Sequence, residues 1–288
     1  MSEFTASWLN LRESADSTAR DQNLIKQISQ WSEQYDRISI VDLASGTGNC
    51  FRALAPHLTS QQSWNLIDFS LPLILEGRAR LSQWAAQHDL SIEMDSDYLK
   101  MFRDDREYVA AFEHCDLAAG FKKRSGHVDL VTVSAFLDLV SVEWCMNLVD
   151  WCSRFRASLY ACLNYDGAIQ FTPSHPTDQF VLDTLNRDQR CDKGFGPALG
   201  SDATSTLAKI LSANGYECIT APSPWFLGTN EAMLQRRLIS DWNDLPYTGC
   251  EGSDDLISSW FEFRLAAVDQ RQSLLEVGHT DLWAWPSS

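Results

Sequence analysis

Hydrophobic and polar positions along the chain follow two different periods, and each period predicts one type of element. Residues 1–35 have apolar positions at helical spacing, which predicts helix ahead of the main fold. The apolar stripe of this segment consists of Leu24, Ile25, Ile28 and Trp31. A short apolar run at 38–44 follows and leads into glycines, and helical spacing resumes between Phe51 and Leu58. This order predicts a strand, a glycine turn and a helix.

Four more apolar runs of strand length follow, and helical patterns separate several of them. They lie at residues 64–68, 107–116, 127–136 and 157–165. Ser70 is the expected N-cap of the helix that follows the first of these runs and extends to about His88. Strands that alternate with helices form parallel sheets, so the pattern predicts an α/β fold with a doubly wound, mostly parallel sheet.

The second half of the chain carries turn and loop signals. Asp166 and Gly167 predict a tight turn, and therefore a hairpin that continues into residues 168–173. Periodicity fades across 174–200, and the segment 191–200 contains three glycines and one proline, which is typical of a loop. Late strands are expected at 216–227 and 278–286.

Composition restricts the class of protein. With 288 residues, of which 44% are hydrophobic, the chain is long enough for one large core. The formal net charge of -16 disfavours nucleic acid as a partner, because proteins bind a polyphosphate through basic residues. No apolar run approaches the roughly 20 residues that cross a bilayer, and the N-terminus lacks a signal-peptide pattern, so we expect a cytoplasmic protein without a membrane partner. Eight cysteines occur without any C-x-x-C pair, so neither a metal site nor a disulfide framework is expected.

The turn after the first strand has the pattern D-x-x-x-G-x-G, formed by Asp42, Gly46 and Gly48. A dinucleotide site would place a third glycine or alanine where Phe51 stands, and a phosphate loop would continue with Gly-Lys-Ser/Thr, which this sequence lacks. An aspartate at the end of the strand suits a ligand with a cationic amino group better than a diphosphate. Asp42 therefore argues against a phosphate ligand.

This turn resembles the first motif of the class I S-adenosylmethionine-dependent methyltransferases of the small-molecule type. The resemblance extends over most of the chain. It implies a Rossmann-like fold, with a seven-stranded sheet whose last strand is antiparallel, in a single domain 1–288. It also implies a helical cover at residues 1–36 and a helical lid insertion for the acceptor at about 173–205. The implied cofactor is S-adenosyl-L-methionine, which leaves as S-adenosyl-L-homocysteine.

Residues at the ends of the next strands match the positions at which this family holds the cofactor. The family has an acid after the second strand for the ribose hydroxyls, which matches Asp68, and Phe69 beside it is expected to pack on the adenine. After the third strand, Asp116 and Leu117 match the contacts with the adenine amino group. Arg20 is expected to meet the methionine carboxylate. The remaining cofactor contacts implied by the resemblance are Asp42, Ala44, Ser45, Gly46, Thr47, Gly48, Ser134, Ala135 and Phe136.

The sequence defines the acceptor side of the site less closely. Methyl transfer from a sulfonium is an in-line displacement, so few groups are required beyond those that align the reactants. The fourth strand ends in S-A-F-L rather than in the Asn/Asp-Pro-Pro-aromatic motif of amino-methylating DNA enzymes, and the Pro-Cys nucleophile of cytosine carbon-5 enzymes is also missing. We expect Asp138 and His175 as catalytic groups, and Asp192 and Lys193 as acceptor-binding residues. Their structural alternatives are a helix cap for Asp138, a packed histidine in a proline turn for His175, and a surface ion pair for the last two.

The sequence thus predicts a methyltransferase that uses S-adenosylmethionine and acts on oxygen or nitrogen of a small-molecule acceptor. Two alternatives stay open. One is a non-catalytic protein that binds S-adenosylmethionine as a partner or sensor, since such a protein would keep the glycine and aspartate motifs. The other is a nicotinamide-dependent dehydrogenase, which the missing third glycine disfavours. No motif specifies the acceptor or the oligomeric state.

Overall fold

The computed structural model of the protein describes residues 4–121, 126–247 and 253–287. Within these ranges the chain forms nine α-helices and ten strands. The helices are α1 (Ala6–Ala19), α2 (Gln22–Ser32), α3 (Asn49–Leu54), α4 (Leu71–Gln87), α5 (Val142–Phe155), α6 (Asp178–Asp188), α7 (Ala203–Ala213), α8 (Ala232–Asn243) and α9 (Ser253–Asp269). The strands are β1 (Ile38–Leu43), β2 (Gln61–Asp68), β3 (Ser91–Met94), β4 (Tyr98–Arg103), β5 (Arg106–His114), β6 (Leu130–Ser134), β7 (Ser158–Thr172), β8 (Tyr216–Pro222), β9 (Trp225–Leu227) and β10 (Leu274–Pro286).

The ten strands belong to one sheet, and the centre of this sheet is parallel. The strand order is β3-β4-β5-β2-β1-β6-β7-β10-β8, and β9 pairs with β10 outside this path. Strands β5, β2, β1, β6 and β7 run parallel to one another. The central strands β1 and β6 and the first half of β7 are buried on both faces, which is typical of parallel sheets. The last strand, β10, lies antiparallel between β7 and β8. The predicted doubly wound α/β sheet with an antiparallel last strand is therefore confirmed.

The sheet has ten strands rather than the expected seven. Two of the additional strands, β3 and β4, form an antiparallel hairpin that extends the edge of the sheet beyond β5. Strand β4 buries Leu99 and Met101 while the positions between them are accessible, so it has the period of a half-buried strand. The third additional strand, β9, pairs with the N-terminal part of β10.

The tight turn predicted at Asp166 and Gly167 is wrong, because β7 runs through both residues without a break. Gly167 has a φ of +91°, and the Asp166 carboxylate accepts a hydrogen bond from the Ala168 amide at 2.9 Å. Gly278 in β10 leaves room for that carboxylate, since a Cβ at Gly278 would collide with it. The register of β10 on β7 shifts beside Gly278. The Asp-Gly pair therefore forms an irregularity inside a long paired strand, not a turn.

The N-terminal helical region is divided into α1 and α2. Arg20 ends α1, and the side chain of Asp21 caps α2 by accepting a hydrogen bond from the Leu24 amide at 2.8 Å. Three residues of the predicted apolar stripe of α2, Leu24, Ile25 and Ile28, are buried against the sheet, and Trp31 is partly buried. The break between the two helices directs Arg20 into the protein interior.

Helices cover both faces of the sheet. One group of buried side chains lies beneath α5 and α7, and a second lies beneath α2, α3 and α4 on the opposite face. A third group lies between the extended end of β7 and helices α8 and α9. Helix α6 lies in the segment 174–200, where the hydrophobic periodicity fades, and Val181 and Leu185 bury one side of it. Among the described residues, no helix is both long enough and apolar enough to cross a membrane.

Candidate functional site

The glycine turn connects β1 to α3 at the carboxyl edge of the parallel strands. Ala44, Gly46 and Gly48 have φ angles of 52°, 54° and 77°, a region that glycine adopts with little strain. The Ser45 amide donates a hydrogen bond to the Ile67 carbonyl at 2.9 Å, which ties the turn to the end of β2. The carboxyl edge of such a sheet is where α/β proteins bind ligands.

Asp68 ends β2, and its carboxylate holds the glycine turn. Oδ2 accepts a hydrogen bond from the Gly46 amide at 2.7 Å, and Oδ1 accepts one from the Ser70 amide at 2.8 Å. Burial raises the pKa of Asp68, while the amides of Ser70 and Gly46 oppose that shift. The Asp68 carboxylate thus lies at the turn and stabilises it through the hydrogen bond from Gly46.

Asp42 is buried beneath the turn, with 1% of its surface exposed. The Thr132 hydroxyl of the neighbouring strand β6 donates to Oδ1 at 2.6 Å, whereas Oδ2 has no hydrogen-bond partner among the described residues. Burial raises the pKa of Asp42 to about 7, although the Thr132 hydroxyl and the Arg20 guanidinium oppose the shift. A buried polar atom without a partner is costly, so Oδ2 is a candidate for contact with a ligand.

Arg20 reaches the same region from the break between α1 and α2, and it is 3% exposed. Nη2 donates a hydrogen bond to the Ser134 hydroxyl at 3.1 Å, and Nη1 donates to the Cys162 sulfur. Its Nε finds no acceptor in the described part of the chain. Asp42 and Arg20 therefore offer one acceptor atom and one donor atom, which suit the ammonium and carboxylate groups of an amino acid.

A second group of predicted residues lies at the ends of β2 and β5. The Phe69 ring is 58% exposed, and its centroid lies 6.0 Å from that of His114. The Asp116 carboxylate accepts a hydrogen bond from the Ala118 amide at 2.8 Å, and the Leu117 carbonyl accepts one from Trp144 Nε1 at 3.0 Å. Strands β2 and β5 are adjacent, so an exposed aromatic ring and an exposed carboxylate share this end of the crevice.

The chain after β6 brings Ala135 and Phe136 to the same edge as Ser134. Ala135 has a φ of 51°, and its amide donates to the Cys162 carbonyl at 2.8 Å. The Phe136 ring packs against Phe195 with 5.2 Å between the ring centroids. The three predicted residues therefore lie at the carboxyl end of β6, and Phe136 contacts the segment that contains Phe195.

Asp138 follows in a short 3-10 helix, Leu137–Leu139. Burial raises the pKa of Asp138 to about 6, while the Arg12 guanidinium and the Lys193 ammonium oppose the shift. A carboxyl group with a pKa near neutrality is able to take a proton from an acceptor and to return it to solvent. Asp138 therefore has the environment of a proton acceptor.

The glycine-rich segment 191–200 packs on the end of β6. Lys193 Nζ binds the Asp188 carboxylate at 2.7 Å, and Asp192 Oδ1 accepts hydrogen bonds from the Gly194 and Gly196 amides at 2.6 and 3.1 Å. The Leu199 amide donates to the Val140 carbonyl at 2.9 Å. Lys193 is near enough to Asp138 to affect its pKa. Asp192 instead stabilises its own loop.

His175 lies apart from the other predicted residues. It precedes α6, and the Thr177 amide donates to its Nδ1 at 3.2 Å. Its ring packs on Phe263 of α9, with 4.9 Å between the ring centroids. Strand β7 continues to Thr172, which carries the chain well past the residue that pairs with Ser134. None of the described hydrogen bonds or ring contacts of His175 involves another predicted site residue.

A polar group that the sequence interpretation missed lies beside Asp138. Arg12 and Asp16 of α1 form a buried ion pair at 3.0 Å, and Trp225 Nε1 donates to Asp16 at 3.1 Å. The ring of His279 in β10 packs against that of Trp225, with 4.7 Å between centroids. The four-residue spacing of Arg12 and Asp16 on a helix is a sequence signal for an ion pair. No local signal links that pair to two late strands.

No group of three or more His, Cys, Asp or Glu side chains within the three described ranges is arranged to hold an ion.

Comparisons with known proteins identify similar chain paths but no similar sequence. No protein-family description matches this sequence, and no curated protein is similar to it. Haemonchus contortus phosphoethanolamine N-methyltransferase 2, solved with S-adenosyl-L-methionine, is 10% identical; the match covers 99% of this chain and 58% of that chain, with a TM-score of 0.47. This chain therefore spans 58% of the length of the Haemonchus protein.

Two further solved structures match this chain over 90% or more of their own length. An S-adenosylmethionine-dependent methyltransferase from Thiobacillus denitrificans, in complex with S-adenosyl-L-homocysteine, is 10% identical over 99% of this chain and 100% of that chain, with a TM-score of 0.48. Magnesium protoporphyrin IX methyltransferase from Synechocystis, with S-adenosyl-L-homocysteine bound, is 12% identical over 100% of this chain and 90% of that chain, with a TM-score of 0.47. Similarity at this level concerns the path of the chain and not the identity of site residues.

Proposed function

We propose that this protein is a cytoplasmic S-adenosylmethionine-dependent methyltransferase that transfers a methyl group to oxygen or nitrogen of a small-molecule acceptor. The observation that carries the proposal is the buried pair Asp42 and Arg20 beneath the glycine turn. Each side chain has one polar atom without a partner in the described ranges. A free amino acid terminus is the type of ligand that satisfies both atoms at once.

The residues along the crevice fit the rest of this cofactor. Asp68 at the turn would bind the ribose hydroxyls, since a carboxylate has lone pairs for both. Phe69 offers an exposed ring for the adenine, and Asp116 with Leu117 would meet its amino group. The middle of the cofactor, between its amino acid part and its adenosine part, would lie along the turn residues Ala44, Ser45, Gly46, Thr47 and Gly48.

Two further segments are proposed to enclose the reactants. Helix α1 lies over the turn, because a Cβ on Gly46 would come within 2.9 Å of Leu9 Cδ1. This supports a role for residues 1–36 as a cover of the cofactor. Residues 173–205 are proposed as the acceptor lid, since the loop with Lys193 and Phe195 packs on the end of β6.

The cofactor supplies an electrophilic methyl group, and the work of the chain is to align the acceptor, exclude water and hold the proton that is released. Ser134, Ala135 and Phe136 line the route to the acceptor side. Asp138 is proposed to take the proton, because its pKa is near 6. His175 has weaker support as a catalytic group, since its contacts lie with α6 and α9.

Calorimetric titration with S-adenosyl-L-homocysteine tests the proposal. The wild-type protein is expected to bind one equivalent, and Arg20→Met is expected to lower the affinity by about 10- to 100-fold, the effect of a lost hydrogen bond to a charged group. Arg154→Met is the matched control, because Arg154 forms an exposed pair with Asp150 on α5. An Arg20→Met protein that binds as tightly as the control would contradict the assignment of Arg20.

A further inference from the structure

His279 in β10 is a buried polar side chain outside the proposed cofactor crevice. It is 5% exposed, and its Nδ1 atom has no hydrogen-bond partner among the residues described. Its ring lies against Trp225 and, with 6.4 Å between centroids, against Tyr165 of β7. A buried nitrogen of this kind needs a partner, and the ligand of a site is one source.

The charges near His279 are unevenly compensated. The Arg12 guanidinium lies 4.9 Å from the centroid of the Trp225 ring, but Arg12 is neutralised by Asp16. Lys193 is likewise paired with Asp188. Asp138 shows no ion pair within the described residues, and it is near enough to Arg12 and Lys193 to respond to both. The charges of Arg12 and Lys193 are thus balanced by Asp16 and Asp188. The Asp138 carboxylate then gives these five side chains together a net charge of one negative unit.

We infer that Arg12, Asp138, Tyr165 and His279 surround the methyl acceptor, and that the acceptor is a neutral aromatic molecule with a hydroxyl group that binds His279. This inference rests on the proposed function and names its substrate class. Helix α1, the 3-10 helix that follows β6, and strands β7 and β10 each contribute one of these four side chains. The site is therefore formed only when the first and last elements of the chain pack together.

The chemistry of His279 favours a hydroxyl over a carboxylate or an ammonium. Burial and the nearby Arg12 lower the pKa of His279 to about 3, although a contact with the Val277 backbone opposes the shift, so its ring is neutral at physiological pH. A neutral imidazole nitrogen either accepts or donates a hydrogen bond, depending on its tautomer. A hydroxyl matches both cases, whereas an ammonium only donates and an ionised carboxylate only accepts.

The charge of the site and its aromatic side chains indicate two further properties of the acceptor. One carboxylate compensates one sulfonium, so a cationic acceptor would leave a second positive charge uncompensated in a buried site. The ring of Phe136, two residues before Asp138 in the chain, packs against the ring of Phe195 in the loop 191–200, and both rings are partly accessible. Aromatic walls favour a planar ring.

The atoms of the transfer balance with these residues. The acceptor oxygen forms a bond to the methyl carbon while the bond from that carbon to the sulfonium sulfur breaks, which leaves a neutral thioether. The hydroxyl proton passes to the Asp138 carboxylate and then to solvent. His279 orients the hydroxyl and takes no proton.

Binding of three probes tests the inference. The protein is saturated with sinefungin, an analogue that keeps a cation in place of the sulfonium and transfers no methyl group. Calorimetry then measures the affinities for 1-naphthol, naphthalene and 1-naphthylmethylamine, which is an ammonium at pH 7. We expect 1-naphthol to bind about tenfold more tightly than naphthalene, the effect of one hydrogen bond, and more tightly than the amine.

Variants of His279 assign that difference to one side chain. His279→Phe should abolish the preference for 1-naphthol over naphthalene, and His279→Gln should restore part of it. His57→Phe is the control, because His57 is an exposed surface residue. In the wild type, 1-naphthol should shift the ¹⁵N resonance of His279 Nδ1, whereas naphthalene should not. This readout does not depend on whether the variants fold.

The outcomes separate the inference from the proposed function. If neither sinefungin nor S-adenosyl-L-homocysteine binds, the proposed function is wrong and the inference is wrong with it. If sinefungin binds but 1-naphthol has no advantage over naphthalene, or leaves the His279 resonance unchanged, only the inference is wrong. Tighter binding of the amine would identify an amine acceptor and would also overturn it.

Discussion

Replacing Asp42 by asparagine is expected to stabilise the ligand-free protein at alkaline pH and to weaken cofactor binding. The Asp42 carboxylate is almost fully buried, and the Thr132 hydroxyl donates to its Oδ1 at 2.6 Å. An asparagine keeps the shape of the side chain and an oxygen for that hydrogen bond, but it removes the buried negative charge. Stability and binding should therefore change in opposite directions.

The pH dependence follows from the pKa of Asp42. Burial raises this pKa from 3.8 to about 7, so the folded state keeps a proton that the unfolded state releases between about pH 4 and pH 7. The stability of the wild type therefore falls as the pH rises through this window. At about 1.4 kcal/mol per pH unit, the loss approaches roughly 4 kcal/mol at pH 8. The new amide has an unpaired donor that costs about 1–3 kcal/mol, which leaves a gain on the order of 1–3 kcal/mol for Asp42→Asn.

Urea unfolding of both proteins at pH 8 and at pH 4 measures this difference. Asp42→Asn should be the more stable protein at pH 8, and its advantage should disappear at pH 4, where the wild-type carboxyl group is protonated. Asp150→Asn, on the exposed side of α5, serves as a control that should show no such trend. A variant that is less stable than the wild type at pH 8, or a difference that is the same at both pH values, would refute the reasoning.

Three other predictions concern binding and the proposed lid. Gly46→Leu should abolish cofactor binding while circular dichroism stays unchanged, because the added side chain enters the space between the turn and Leu9; retained binding would show that the ligand does not pass this turn. Asp68→Ala should weaken binding of S-adenosyl-L-homocysteine by about 1–3 kcal/mol in calorimetry, since a charged acceptor is lost; an unchanged affinity would remove Asp68 from the ribose site. Hydrogen exchange across residues 192–200 should slow when sinefungin and 1-naphthol are added; full protection in the free protein would exclude a gating role.

The centre of the sheet could be predicted because each of its parallel strands contains a short apolar segment, and helical patterns separate several of these segments. The hairpin β3–β4 was missed because its strands are short, β3 buries none of its residues, and β4 buries only Leu99 and Met101. The Asp166-Gly167 pair was misassigned because a local turn signal competes with pairing to β10, and that strand lies more than a hundred residues later. Gly278 permits the pairing of β7 with β10 because it leaves room for the Asp166 side chain.

In the candidate site, too, residues that are close in the sequence could be predicted, and residues that meet from distant parts of the chain could not. Asp42, Gly46 and Asp68 are found from spacing, because the motif and the next strand end belong to one continuous segment. The group around His279 was not found, because Arg12, Trp225 and His279 come from opposite ends of the chain and meet only after packing.

Calorimetric titration of the wild-type protein with S-adenosyl-L-methionine at pH 7, in two buffers with different ionisation enthalpies, tests the central claim most directly. We predict saturable binding of one equivalent with net release of protons, because the ligand's ammonium group should lower the pKa of Asp42 from about 7. Binding without proton release would place the ammonium group away from Asp42. The absence of any saturable heat in either buffer would contradict the proposal that this protein binds S-adenosylmethionine.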